Sequence, residues 1–120
     1  MATLLHITTQ AEWDAARAAG SYRPASLARE GFIHASTAAQ VVATANAFFR
    51  GRGDLVLLCI DPAKVDAEIR YEHPPAGDPR AAETFPHIFG PLPPGAVVAV
   101  LPLPYDAARG FVLPDLTFSM

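Results

Sequence analysis

Six consecutive apolar residues, Leu55 to Ile60 (LVLLCI), constrain this chain more than any other stretch. The run is too short for a typical helix and has no polar face, so it predicts a central β-strand covered on both sides. Asp61-Pro62 ends it. Other strands are expected around that centre. Leu4 to Thr8 (LLHIT) is short, apolar and partly β-branched. Glu68 to His73 (EIRYEH) alternates, with Ile69 and Tyr71 on one side and Arg70 and Glu72 on the other. Phe32 to Ala35, Ala96 to Leu101 and a short Phe111 to Leu113 complete the set.

Two helices are predicted between these strands. Thr9 and Glu12 have the spacing of a capping box, which opens a helix from Gln10 to about Ala19 that stops at Gly20. Trp13, Ala16 and Arg17 share one face of it, and Trp13 is expected to anchor that face on a sheet. Thr37 and Gln40 repeat the capping pattern before a second helix, whose stripe of Val41, Ala45, Phe48 and Phe49 ends at Gly51. Ser36 or Thr37 is expected to cap its first amides. Residues 21–30 read as a loop with at most a short helical turn after Pro24, and residues 74–80 (PPAGDPR) as a surface loop. The sum is an α+β fold: a twisted, mostly antiparallel sheet with two main helices, in a single domain over residues 1–120.

At 120 residues such a domain buries roughly two thirds of the surface its unfolded chain exposes, and so needs no covalent staples. Hydrophobic residues make up 51% and charged residues 18%, which excludes disorder as the default state. A net charge of −3 argues against general nucleic-acid binding, which requires a basic stripe to neutralise phosphates. Cys59 lies inside the apolar run with no partner cysteine, as expected of a small buried hydrophobe in a reducing compartment. The N-terminus lacks the basic start and apolar core of a secretory signal, and no apolar stretch approaches membrane-spanning length. These features point to a cytoplasmic protein.

Four histidines, at positions 6, 34, 73 and 87, stand out in this acidic chain. None belongs to a zinc signature such as His-Glu-x-x-His, so no metal site is expected. There is no Gly-x-Ser-x-Gly elbow to present a nucleophilic serine, and the glycines of "GRG", residues 51–53, follow a helix where phosphate loops precede one. What remains is a group of polar residues at strand ends: His6, His34, Glu72, and His87 in a proline-bounded loop. Each alone has an ordinary structural explanation. His6 and His34 would be core histidines bonded to carbonyls, Glu72 a solvent-facing carboxylate and His87 a loop fastener. Together they suggest a cluster, because buried polar rings need partners and those partners gather. Tyr22, Phe85 and Phe89 would add flat walls, with Phe85 better explained as core and Tyr22 fitting either role, and Arg23 or Arg29 would meet an anion.

The stretches LLHIT, Trp13, YRPASLAREGFIHAS, VLLCID, YEH and FPHIFGPLP, in that order, resemble the bacterial family labelled domain of unknown function 952, over about residues 4–114. That family is similar at fold level to the ADP-ribosyltransferase superfamily, including its RNA 2'-phosphotransferase branch, whose members hold NAD in a cleft between two antiparallel sheets. The resemblance implies a split sheet of the ADP-ribosyltransferase-like kind and NAD or a related small-molecule nucleotide as ligand. It implies His6 as the first-strand histidine, His34 and Ser36 as a His-x-Ser element, and Glu72 as the acid that orients a ribose hydroxyl, with Glu83 as its competitor. Tyr22 or Phe89 would stack on a nicotinamide ring, and His87 would line the pocket. The arginines that bind a 2'-phosphate in the phosphotransferase branch have no clear counterpart, so the RNA reaction is not expected. The implied catalytic pair is Glu72 and His34, acting in NAD-dependent transfer or glycohydrolysis. The alternatives are a nucleotide-binding module without catalysis and a metal-assisted hydrolase.

Overall fold

The computed structural model describes residues 2–116. The Leu55–Ile60 strand, β3, is buried at every position and lies at the centre of a three-stranded antiparallel sheet. Its neighbours are β1 (Leu4–Thr9) and β6 (Val97–Pro102), in the order β1-β3-β6. Alternation divides the β3 side chains between two cores. Val56, Leu58 and Ile60 join Leu4, Trp13, Ala16, Ile33, Ile88 and Leu92 on one face, while Leu57 and Cys59 join Leu5, Val41, Ala45 and Phe111 on the other. The continuous apolar run is thus explained by cover on both sides.

Trp13 anchors the first helix, α1 (Gln10–Ala19), on the first of these cores. The Thr9 hydroxyl accepts from the amide of Glu12 at 3.1 Å, so that half of the capping box forms. The Glu12 carboxylate does not return to Thr9. It accepts instead from the Thr8 hydroxyl at 2.8 Å.

The second sheet contains β2 (Ile33–His34), β4 (Ile69–Glu72) and β5 (Phe85–Ile88) in the order β2-β5-β4, all antiparallel. Here the structure corrects one expectation: His87 lies in a central strand and not in a loop. Pro86 hid that strand, since a proline argues against a central position. The register explains how it is tolerated. Pro86 falls opposite Ala35, just past the end of the two-residue β2. The Ala35 amide donates to the Pro86 carbonyl at 3.0 Å, and only the return bond is forfeited.

The segment 21–30 holds more helix than the short turn expected after Pro24. Ala25–Glu30 forms a six-residue helix, α2, which Gly31 closes at φ 88° by donating its amide to the Leu27 carbonyl. The last main helix, α3, covers Val41–Phe48, and neither Ser36 nor Thr37 caps it through a side chain. The Gln40 side chain accepts from the Thr37 amide at 3.1 Å and donates to the Thr84 carbonyl at 2.8 Å, tying the helix start to β5. Ser36 is used elsewhere. Its amide and carbonyl exchange bonds of 2.8 Å with Leu5, an isolated bridge that joins edge strand β1 to the segment after edge strand β2. The two sheets therefore form one split sheet, joined among the described residues by this rung across the gap. A short hairpin of β7 (Tyr105–Asp106) and β8 (Gly110–Phe111) packs Phe111 beneath α3.

Candidate functional site

The gap between the sheets opens into a cleft of about 860 Å³. Its lining includes His6, Tyr22, His34, Ser36, Glu72 and His87, drawn from β1, the α1–α2 connection and all three strands of the second sheet. Phe89 is not among the lining residues: it borders a separate depression with Gly20, Asp66 and Gly90, its ring 5.3 Å from that of cleft-lining Phe32 and covered by the Arg70 guanidinium at 4.5 Å. Glu83 accepts from Gln40 at 3.4 Å and is not among the lining residues. Arg23 is exposed outside the cleft, and Arg29 is on its wall.

His6 is held in one tautomer. The His34 carbonyl can only accept, so His6 Nδ1–H donates to it at 2.5 Å, and Nε2 accepts from the Tyr22 hydroxyl at 2.7 Å. Burial pushes the His6 imidazole down to about 4 from its usual 6.5, and pushes the Tyr22 phenol up to about 12. A neutral imidazole and a neutral phenol thus form a fixed polar floor. Tyr22 is only 3% exposed, which leaves little of its ring to stack on a ligand.

The second sheet contributes two imidazoles, one paired with a carboxylate of the sheet and the other with the last residue of α2. Cross-strand register places His34 opposite His87 and Glu72 opposite Phe85, so alternation puts His34, His87 and Glu72 on one face. His87 Nδ1–H donates to Glu72 Oε1 at 2.8 Å, and Phe32 stacks on the His87 ring at 4.0 Å and 16°. The His34 ring is edge-on to His87, 5.4 Å away, and its Nε2 is 3.1 Å from Glu30 Oε2. His34 faces the cleft with a side chain 54% exposed, whereas the His87 side chain is 10% exposed. Between them they offer one solvent-facing and one sheltered imidazole, each beside a carboxylate.

His73 has a structural part. Its Nδ1–H points at the carbonyls of Ala81 and Glu83, 3.0 Å from each, which fastens the loop that follows β4. That loop brings in the residue that sequence reasoning missed. Arg80 donates to the Thr44 hydroxyl at 2.7 Å and lies over the rings of Phe85 at 4.6 Å and Phe48 at 5.5 Å. Asp78 stands 3.6 Å away as its counter-ion. Phe48, expected on the buried stripe of its helix, is 64% exposed and lines the cleft. An arginine in a Pro/Gly-rich loop gives no periodic signal, so only the loop's fold reveals it. Among the described residues, no group of three or more His, Cys, Asp or Glu is arranged to hold a metal ion, and no helix is long and apolar enough to cross a membrane.

This architecture recurs in solved structures. The crystal structure of protein CC0527 from Caulobacter crescentus is 33% identical, with a TM-score of 0.78, and the match covers 92% of this chain and 94% of that one. The solution NMR structure of the same protein gives 34% identity and a TM-score of 0.72 over 92% and 91% of the two chains. No curated protein matches the chain. Residues 7–100 match the family described as "Protein of unknown function (DUF952)". With a split antiparallel α+β fold shared with CC0527 and a family match over most of its length, the chain belongs to the DUF952 family.

Proposed function

We propose that the cleft binds NAD or a closely related nucleotide and acts on the bond between nicotinamide and ribose. One observation carries the reading: of the seven residues expected at the site, His6, Tyr22, His34, Ser36, Glu72 and His87 line one cleft, Phe89 being the exception. Its volume falls within the roughly 300–1,000 Å³ of small-molecule and cofactor sites. Arg80 and Arg29 on the walls supply cationic groups for a pyrophosphate, and Phe48 supplies an exposed flat surface for a ring.

The chemistry matches the residue types. Breaking the nicotinamide–ribose bond passes through an oxocarbenium-like state, which a carboxylate beside the ribose stabilises. Glu72 suits this role, because Oε1 is engaged by His87 and the other oxygen is left to accept from a ribose hydroxyl. Its side chain is 38% exposed, so a ligand can reach it. Glu83 is the weaker candidate, lying outside the cleft lining.

Calorimetric titration with NAD and ADP-ribose tests the binding, and assay of released nicotinamide tests the reaction. The expected result is binding, with release that is lost in Glu72→Gln while binding persists. Absence of binding at millimolar nucleotide refutes the reading. Binding without release by the wild-type protein makes the cleft a nucleotide-binding module without catalysis.

A further inference from the structure

The nicotinamide–ribose reading gives His87 no task beyond its bond to Glu72. A carboxylate can only accept, so the 2.8 Å bond to Glu72 fixes the proton of His87 on Nδ1 and leaves the lone pair of the neutral ring on Nε2. Among the described residues Nε2 has no protein partner, yet no buried side-chain nitrogen lacks one, so this atom is accessible from the cleft. The ring cannot readily turn away. Phe32 is stacked on one face, His34 is edge-on to it, and the backbone belongs to the central strand of its sheet. A carboxylate that sets the tautomer, an imidazole held by packing and an open lone pair are the parts of a general base.

Departure of nicotinamide makes no use of such a base or of its conjugate acid. The ring nitrogen takes the electron pair of the broken bond, loses its positive charge and leaves as a neutral molecule. A proton must be removed only if the incoming group carries one. We infer that the acceptor in this reaction is a hydroxyl-type nucleophile, water or an alcohol, and that His87 is the catalytic base that activates it; this rests on the function proposed above. As the acceptor oxygen bonds to the ribose carbon, the carbon–nitrogen bond breaks with its electron pair going to nicotinamide, and the acceptor proton passes to Nε2. The resulting imidazolium is held against the Glu72 carboxylate until the proton is lost to solvent.

A nucleophile that carries no proton provides the test. Nicotinamide release from NAD is measured for the wild-type protein, His87→Ala and His87→Gln, in water, in water with methanol and with azide ion, with melting temperatures as a control on folding. The expected result is that both variants lose roughly 10²–10⁴-fold in the water and methanol reactions, the range of general-base contributions, and that azide restores release to within a few-fold of wild type. Equal losses with azide and with water make His87 a structural residue and overturn the inference, as does an undiminished water reaction. Either result leaves the nicotinamide–ribose reading standing. Failure of the wild-type protein to release nicotinamide under every condition overturns both.

Discussion

Replacing His6 with glutamine should remove a specific part of the acid sensitivity of this fold. His6 is buried on β1, an edge strand of the first sheet, and its imidazole sits at about 4 in the folded protein against 6.5 when exposed, chiefly because burial disfavours the charged ring. Between those values the unfolded chain holds a proton on His6 that the folded chain does not. Folding stability therefore rises with pH across this window, and it falls as the solution is acidified from about 6.5 towards 4. At 1.36 kcal/mol per pH unit, the separation corresponds to about 3 kcal/mol. That is a large share of the roughly 5–15 kcal/mol that holds a typical domain together.

Urea denaturation of wild type and His6→Gln at intervals from pH 7.5 to pH 4 measures the effect directly. The variant starts less stable at pH 7.5, because the glutamine cannot reproduce both the bond to the His34 carbonyl and the one from Tyr22. On acidification the wild-type protein should lose about 3 kcal/mol more than the variant does. Carboxylates that titrate in the same range are present in both proteins and cancel in the difference. Parallel stability curves would show that His6 takes up its proton in the folded state, and would refute the account of a desolvated neutral ring.

Three further outcomes are expected. Leu58→Ala, in the centre of β3 with no exposed surface, should cost about 2–5 kcal/mol in urea unfolding; a loss below 1 kcal/mol would mean that the strand is not the two-sided centre described. Gly31→Ala should cost about 1–2 kcal/mol from backbone conformation alone, since φ is +88° and an added methyl meets nothing within 4 Å; a neutral result in calorimetry would contradict the left-handed closure of α2. Burial pushes the Cys59 thiol up to about 11, so a thiol reagent at neutral pH should label it at the rate of global unfolding. Rapid labelling of the native protein would place Cys59 at the surface.

The elements that were legible in the sequence are those whose signal is local. LVLLCI declared a doubly covered strand, Thr9 and Glu12 marked the start of α1, and Trp13 showed which face that helix buries. The missed elements are those where a local rule was overridden. Pro86 conceals β5 because proline normally excludes a central strand, and only the early end of β2 makes its missing amide harmless. Ser36 has the chemistry of a helix cap, but the helix begins only at Val41 with Gln40 before it, and what Ser36 contributes is a backbone rung between the sheets.

The amino-acid sequence by itself determined the class of fold, the central strand and the cast of polar residues: His6, His34, Glu72 and His87 were conspicuous as imidazoles and a carboxylate set among apolar strands. Only the tertiary structure decided how they are partnered. His6 is bonded to Tyr22, and His87 to Glu72 fifteen positions away, through cross-strand register. Arg80 reached the site through the fold of its loop, Phe48 from the end of α3 and Phe32 from the position before β2, while Phe89 borders the neighbouring depression. Residue type reports which interactions a side chain is capable of. Which of them it makes depends on strands and loops far apart in the chain, and that information is present only once they have folded together.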